Sequence, residues 1–202
     1  MDKYFITGIG TGIGKTLVSA ILTEKLKADY WKPIQSGDLE ASDSLTVKNL
    51  ISNPETVIHP ESYRLTQPLS PHLSAKLDGI EIDLRKINIP VTDNNLIIEG
   101  AGGLMVPLNE NELIVDLIKK LSVEVILVSQ NYLGSINHTL LSVNLLKQFN
   151  IPVKGIIFNG TENNETERYI LQYTKIKKLG YIPSLNQIDK THIASLGENI
   201  LI

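Results

Sequence analysis

Thr7-Gly8-Ile9-Gly10-Thr11-Gly12-Ile13-Gly14-Lys15-Thr16 is the stretch of this 202-residue chain that decides its fold, because of what flanks it on either side. The apolar run Tyr4 to Thr7 leads in, and a helical pattern beginning Leu17-Val18-Ser19 leads out. Glycines at alternate positions let consecutive backbone N–H groups turn inward onto phosphate oxygens at the positive end of a helix. Lys15 then supplies a mobile charge near the β and γ phosphates, and Thr16 a hydroxyl for a magnesium ion. A dinucleotide-binding turn is the other reading of so many glycines. Its G-x-G-x-x-G spacing does not fit: the sixth position is Ile13 counted from Gly8 and Lys15 counted from Gly10. The loop also departs from G-x-x-x-x-G-K-[ST], since Ile9 stands where the first glycine belongs, and so it is one residue longer.

Outward from the loop, apolar runs without strict alternation recur at Leu96 to Ile98, Val125 to Val128 and Val153 to Phe158. A strand covered by helices on both faces reads this way. Amphipathic stretches at Lys15–Leu26, Leu113–Leu121, Asn137–Phe149 and Glu165–Thr174 predict helices between them. The expected fold is therefore α/β: one domain over residues 1–202, a twisted, mostly parallel sheet with helices on both faces. Ile34 to Pro90 is less regular and predicts a short helix near Ser44 to Leu50, another after Pro71, and substrate-facing loops.

Bulk properties narrow the function. The 19 basic and 22 acidic residues form no basic block that could meet a nucleic-acid backbone. With 0 cysteines the chain has no disulfide, thiolate metal site or cysteine nucleophile. No segment approaches the roughly 18 apolar residues of a membrane span, and the start MDKYFITG lacks an apolar signal core. The expectation is a soluble, cytoplasmic protein without nucleic-acid or membrane partners. Among phosphate-loop proteins, a regulatory GTPase needs N-K-x-D after a late strand, where this chain has Asn159-Gly160-Thr161-Glu162. Partition and septum-site ATPases carry a second lysine early in the loop, at the position of Gly10. Amidating ligases of related fold add a glutaminase domain and its cysteine.

The remaining motifs resemble dethiobiotin synthetases in sequence order: the lengthened loop, Trp31-Lys32-Pro33-Ile34-Gln35-Ser36-Gly37, Ser42-Asp43-Ser44, Ser70-Pro71-His72, Glu99-Gly100-Ala101-Gly102-Gly103, Leu133-Gly134-Ser135-Ile136-Asn137-His138 and Gly180-Tyr181-Ile182-Pro183. Gly12 departs from relatives that carry a glutamate there. The resemblance implies a reaction in which 7,8-diaminononanoate takes up CO₂ as a carbamate, ATP phosphorylates it, and the second amine closes a cyclic urea. It also implies Mg²⁺, and a homodimer in which Gly134 and Asn137, at a helix start, serve the neighbouring subunit's site. The chemistry of the residues alone implies phosphoryl transfer to some acceptor, and a nucleotide-switched ATPase remains the rival class.

The expected nucleotide contacts are Gly8, Gly10, Gly12, Ile13, Gly14, Lys15, Thr16 and Leu17, with Asn159 near the adenine edge and Pro183 beyond it. Lys15, Lys32 and Thr11 are the expected catalytic groups. Lys32, at the end of a predicted strand, would hold the carbamate against the γ phosphate, two anions that otherwise repel. Thr16, Asp43 and Glu99 are the expected metal ligands, and Thr11, Lys32, Ser36, Gly102, Gly134 and Asn137 the substrate contacts. Some of these have bland alternatives. Asp43 lies in a good helix N-cap sequence, Asn159-Gly160 is a common turn, and Ser70-Pro71 starts a helix unaided, so His72 is given no catalytic role.

Overall fold

The computed structural model describes residues 1–185 and 187–202. Strand β1 (Lys3–Gly8) runs into the glycine loop, and α1 (Lys15–Leu26) follows it at the bounds expected from the sequence. Next come β2 (Asp29–Trp31), β3 (Ile34–Ser36), α2 (Asp43–Leu50), β4 (Ile58–His59), β5 (Tyr63–Leu65) and α3 (Pro71–Leu77). The second half holds β6 (Leu96–Gly103), α4 (Ile114–Leu121), β7 (Glu124–Gln130), α5 (Ser135–Gln148), β8 (Val153–Gly160), α6 (Asn164–Thr174), β9 (Lys178–Pro183) and α7 (Lys190–Glu198).

Seven strands form one sheet in the order β4-β2-β6-β1-β7-β8-β9, with every pair parallel. A separate parallel pair, β3 with β5, lies beside it. Alternate side chains of β1 show why the apolar runs lack alternation. Tyr4 and Ile6 pack with Val18, Ile21 and Leu22 of α1 and Ile193 of α7, while Phe5 points the other way, into a cluster with Ile114 and Ile118 of α4. Both faces are covered, so both sets of positions must be apolar. β1 stands centrally, with β6 and β7 on its two sides. The sheet therefore opens its ligand crevice where β1 ends and the chain turns into the glycine loop.

Several boundaries differ from expectation. β6 does not end at Glu99 but runs on to Gly103, whose Cα pairs with Gly8 after a register irregularity. α5 starts at Ser135 rather than Asn137, because Gly134, at φ 103, turns the chain into the first helical residue. α2 starts at Asp43 rather than Ser44, and Ser42 caps it, accepting a hydrogen bond from Leu45 N at 3.3 Å, as the Ser42-Asp43-Ser44 stretch suggests. Ser70-Pro71 starts α3 with proline in the first turn, as expected. The edge strands β3, β4 and β5 carry no periodicity at two or three residues each. β9 and α7 have weak patterns and were not anticipated as elements. Among the described residues no helix is long and apolar enough to cross a membrane.

Candidate active site

The glycine loop curls over the end of β1 with Gly12 at φ 73 and Gly14 at φ 92, conformations that side-chain-bearing residues seldom adopt. Lys15 folds back so that Nζ donates to Gly10 O at 2.9 Å, which holds the ammonium against the loop. Burial lowers its pKa to about 8, and Lys32 adds to the depression while Glu99 and Asp43 oppose it. Beneath the loop, Asn159 Nδ2 donates to Ile13 O at 2.8 Å. A Cβ placed on Gly14 would lie 2.2 Å from that same nitrogen, so the glycine is required for the approach. One end of the Asn159 carboxamide is thus committed to the phosphate loop. Pro183 ends the neighbouring strand β9, paired with Gly160.

Alongside the loop lies a cleft of about 700 Å³ lined by Thr11, Gly12, Gly14, Lys15, Thr16, Lys32, Ser36, Asp43, Glu99 and Gly102, with Gln35 and Pro68–Pro71 forming its far wall. Three oxygens converge there: Thr16 Oγ1 lies 2.8 Å from Asp43 Oδ1 and 2.8 Å from Glu99 Oε1. A hydroxyl has a single proton and can donate to one of them at a time. Two carboxylate oxygens and one hydroxyl, all hard donors around one point, fit a small divalent cation that keeps most of its waters.

Lys32 closes the group from the other side. Nζ is 2.6 Å from Asp43 Oδ2 and 3.3 Å from Glu99 Oε1, and it also reaches Gly100 O at 3.5 Å. Burial would lower the Lys32 pKa, but Glu99 and Asp43 outweigh it and hold the group charged. Burial likewise disfavours ionised Asp43, and Lys32 and Thr16 reverse that, keeping its pKa below the usual carboxylate value. Only 5% of the Lys32 side chain is accessible.

Ser36 lines the cleft, and among the described residues its buried hydroxyl has no hydrogen-bond partner. Gly102, at φ 67, brings β6 up to the loop, and a Cβ there would lie 3.5 Å from Thr11 Oγ1. Gly134 and Asn137 are the exception among the expected substrate contacts, and of the expected nucleotide contacts Gly8, Gly10, Ile13, Leu17, Asn159 and Pro183 also lie outside the cleft lining. Gly134 and Asn137 are exposed at the start of α5 and neither lines the cleft of its own chain. Around them Leu133, Tyr132 and Leu141 are exposed apolar side chains. The His72 ring is hydrogen-bonded to Ser70 Oγ at 3.0 Å and stands outside the cleft.

Two residues that bear on the site have no role assigned from the sequence. Gln35 is buried, accepts from Asp43 N at 3.3 Å and donates to Gly37 O at 2.9 Å, tying the start of α2 to the turn after β3. Tyr30, fully buried on β2, donates its phenol to Glu99 Oε2 at 2.9 Å. Burial and the Glu99 charge push its pKa well above the ordinary phenol value, so it stays a donor. Gln35 stands inside the Trp31-to-Gly37 motif and Tyr30 just before it, but nothing along the chain names the partner of either.

A parallel sheet, a glycine loop at the end of its central strand and a lysine–threonine pair opening the next helix define a P-loop nucleotide-dependent enzyme. A family model described as an AAA domain matches residues 2–192. An ATP-dependent dethiobiotin synthetase BioD from Cytophaga hutchinsonii is 55% identical over 191 residues, covering 94% of this chain and 92% of that protein. Its namesake from Christiangramia forsetii is 53% identical, covering 97% and 94%. The chain belongs to the ATP-dependent dethiobiotin synthetase family, ligases of biotin biosynthesis. Among solved structures, the cell division ATPase MinD of Pyrococcus furiosus superposes with a TM-score of 0.65 over 98% of each chain at 13% identity, a likeness of fold alone.

Proposed function

We propose that the chain closes the ureido ring of dethiobiotin from 7,8-diaminononanoate, CO₂ and ATP. The observation that carries this reading is the convergence of Lys15, Thr16, Lys32, Asp43 and Glu99 on one cleft beside the glycine loop. One amine of the substrate adds to CO₂ and loses a proton, giving a carbamate. A carbamate oxygen attacks the γ phosphorus of ATP, and ADP leaves. The second amine then attacks the carbonyl carbon, loses a proton, and phosphate leaves as the ring closes.

The backbone N–H groups of Gly8, Gly10, Gly12, Ile13, Gly14, Lys15, Thr16 and Leu17 cradle the phosphates, and Lys15 follows the charge that shifts onto the β–γ bridge. Lys32 holds the carbamate close to the γ phosphate by offsetting their repulsion, with Thr11, Ser36 and Gly102 shaping the substrate's position. Thr16, Asp43 and Glu99 would hold Mg²⁺, which neutralises phosphate charge when bound. Asn159 and Pro183 flank the adenine at the ends of β8 and β9. ATP as co-substrate points to the cytoplasm as the working compartment.

We further propose a homodimer with shared sites, in which Gly134 and Asn137 of the partner's α5 receive the substrate carboxylate. Their exposure, outside their own chain's cleft and among exposed apolar side chains, supports it. The test is a mass-spectrometric search for dethiobiotin after mixing the protein with diaminononanoate, bicarbonate, Mg²⁺ and ATP. The expected result is product dependent on every component. ATP hydrolysis that is indifferent to the diamine and bicarbonate would overturn the reading in favour of a nucleotide-switched ATPase.

A further inference from the structure

Glu99 has two carboxylate oxygens with different tasks. Oε1 faces Thr16 and Lys32, whereas Oε2 receives the Tyr30 phenol at 2.9 Å in a fully buried contact. The geometry follows from register. Tyr30 pairs with Ile97, so its ring lies on the α1 face of the sheet beside that residue, and Glu99 stands two positions further towards the cleft on the same face. Two residues along a strand span about 6.6 Å, a distance the tyrosine side chain covers from its Cα to its hydroxyl. Phenylalanine would fill the same space but leave a buried anionic oxygen without its donor. Side chains behind a metal-binding carboxylate commonly set its rotation and basicity.

We propose that Tyr30 is a positioning residue, whose phenol fixes the rotation of Glu99 so that Oε1 is presented to the cation and to Lys32. The proposal rests on Glu99 belonging to the cation site, as argued above. Its test is Mn²⁺ binding to the enzyme–ADP complex, followed by the electron paramagnetic resonance of free Mn²⁺, in the unaltered protein, Tyr30→Phe and Glu99→Gln. Tyr30→Phe should weaken Mn²⁺ binding by about tenfold, leaving metal-free ADP binding unchanged. Mn²⁺ affinity within twofold of the unaltered protein would overturn the proposal, as would a loss matched by weaker metal-free ADP binding, which marks general loosening. If Glu99→Gln alone leaves Mn²⁺ affinity intact, the cation-site reading falls instead. Should Tyr30→Phe not fold, the unaltered protein still decides. With tyrosine labelled at the ring carbon bearing the hydroxyl, the Tyr30 resonance should shift when Mg²⁺ is added to the ADP complex, and a stationary resonance refutes the coupling.

Discussion

Replacing Lys32 by methionine keeps most of the side-chain volume and removes the charge that sits between Asp43 and Glu99. Removing one partner from a buried ion pair costs about 3–5 kcal/mol, because the remaining charge is left uncompensated. The Asp43 side chain keeps 35% of its surface exposed, so water screens it and the lower end, about 3 kcal/mol, applies. For a chain of this size, each kcal/mol moves the unfolding midpoint by about 2–4 °C, which places the variant about 6–12 °C below the parent in divalent-free buffer. Added Mg²⁺ with ADP should raise the variant's midpoint by more than the parent's, since a divalent cation can take up the two freed carboxylates without competition from an ammonium. Turnover should fall by about 10²–10³, the usual cost of losing one preorganised charge at a developing anion. Thermal unfolding with and without Mg²⁺–ADP, beside steady-state product formation, measures all three. A midpoint equal to the parent's in divalent-free buffer would refute the buried ion-pair account, and near-normal turnover would remove Lys32 from the chemistry.

Glu99→Gln should raise the Mg²⁺ concentration for half-maximal rate, since a carboxamide is a poorer ligand for a hard cation; an unchanged Mg²⁺ titration assigns Glu99 elsewhere. Lys15→Ala and Asn137→Glu, each folded, dimeric and inactive alone, should recover about a quarter of normal activity when their subunits are mixed, because one site of the mixed dimer then carries neither lesion. Recovery no greater than the sum of the two, with mixed dimers demonstrated, rules out sharing. At the opposite end of β2, buried Asp29 accepts from Thr92 at 2.6 Å, from Val57 N at 3.0 Å and from His59 at 3.2 Å. Burial would raise its pKa, but these donors lower it below 3.8. A depressed folded-state pKa contributes stability above the unfolded value that is lost as pH falls through the folded one. Asp29→Asn should therefore cost about 1–3 kcal/mol at pH 7, and the gap to the parent should narrow below pH 4. A gap that is constant with pH in thermal unfolding would exclude an ionised Asp29.

Features carried by contiguous residues were legible in the sequence. The phosphate loop, the bounds of α1, the doubly buried strands and the motif order that marks the family each depend on neighbours in the chain: glycine permits φ 92 at position 14 wherever it stands, and a strand covered on both faces must be apolar throughout. The choice of Lys32, Asp43 and Glu99 came from motif resemblance; their mutual arrangement did not. Lys32 and Glu99 are 67 positions apart, and Thr16 and Glu99 83. Only the parallel pairing of β2 and β1 with β6 brings them within hydrogen-bonding distance. The roles of Tyr30 and Gln35 were invisible for the same reason, since a phenol or a carboxamide signals its role only through its partner. Sequence spacing determines which local conformations the backbone can adopt, whereas the register between strands decides which distant side chains share a cleft, and through it the charge each one meets.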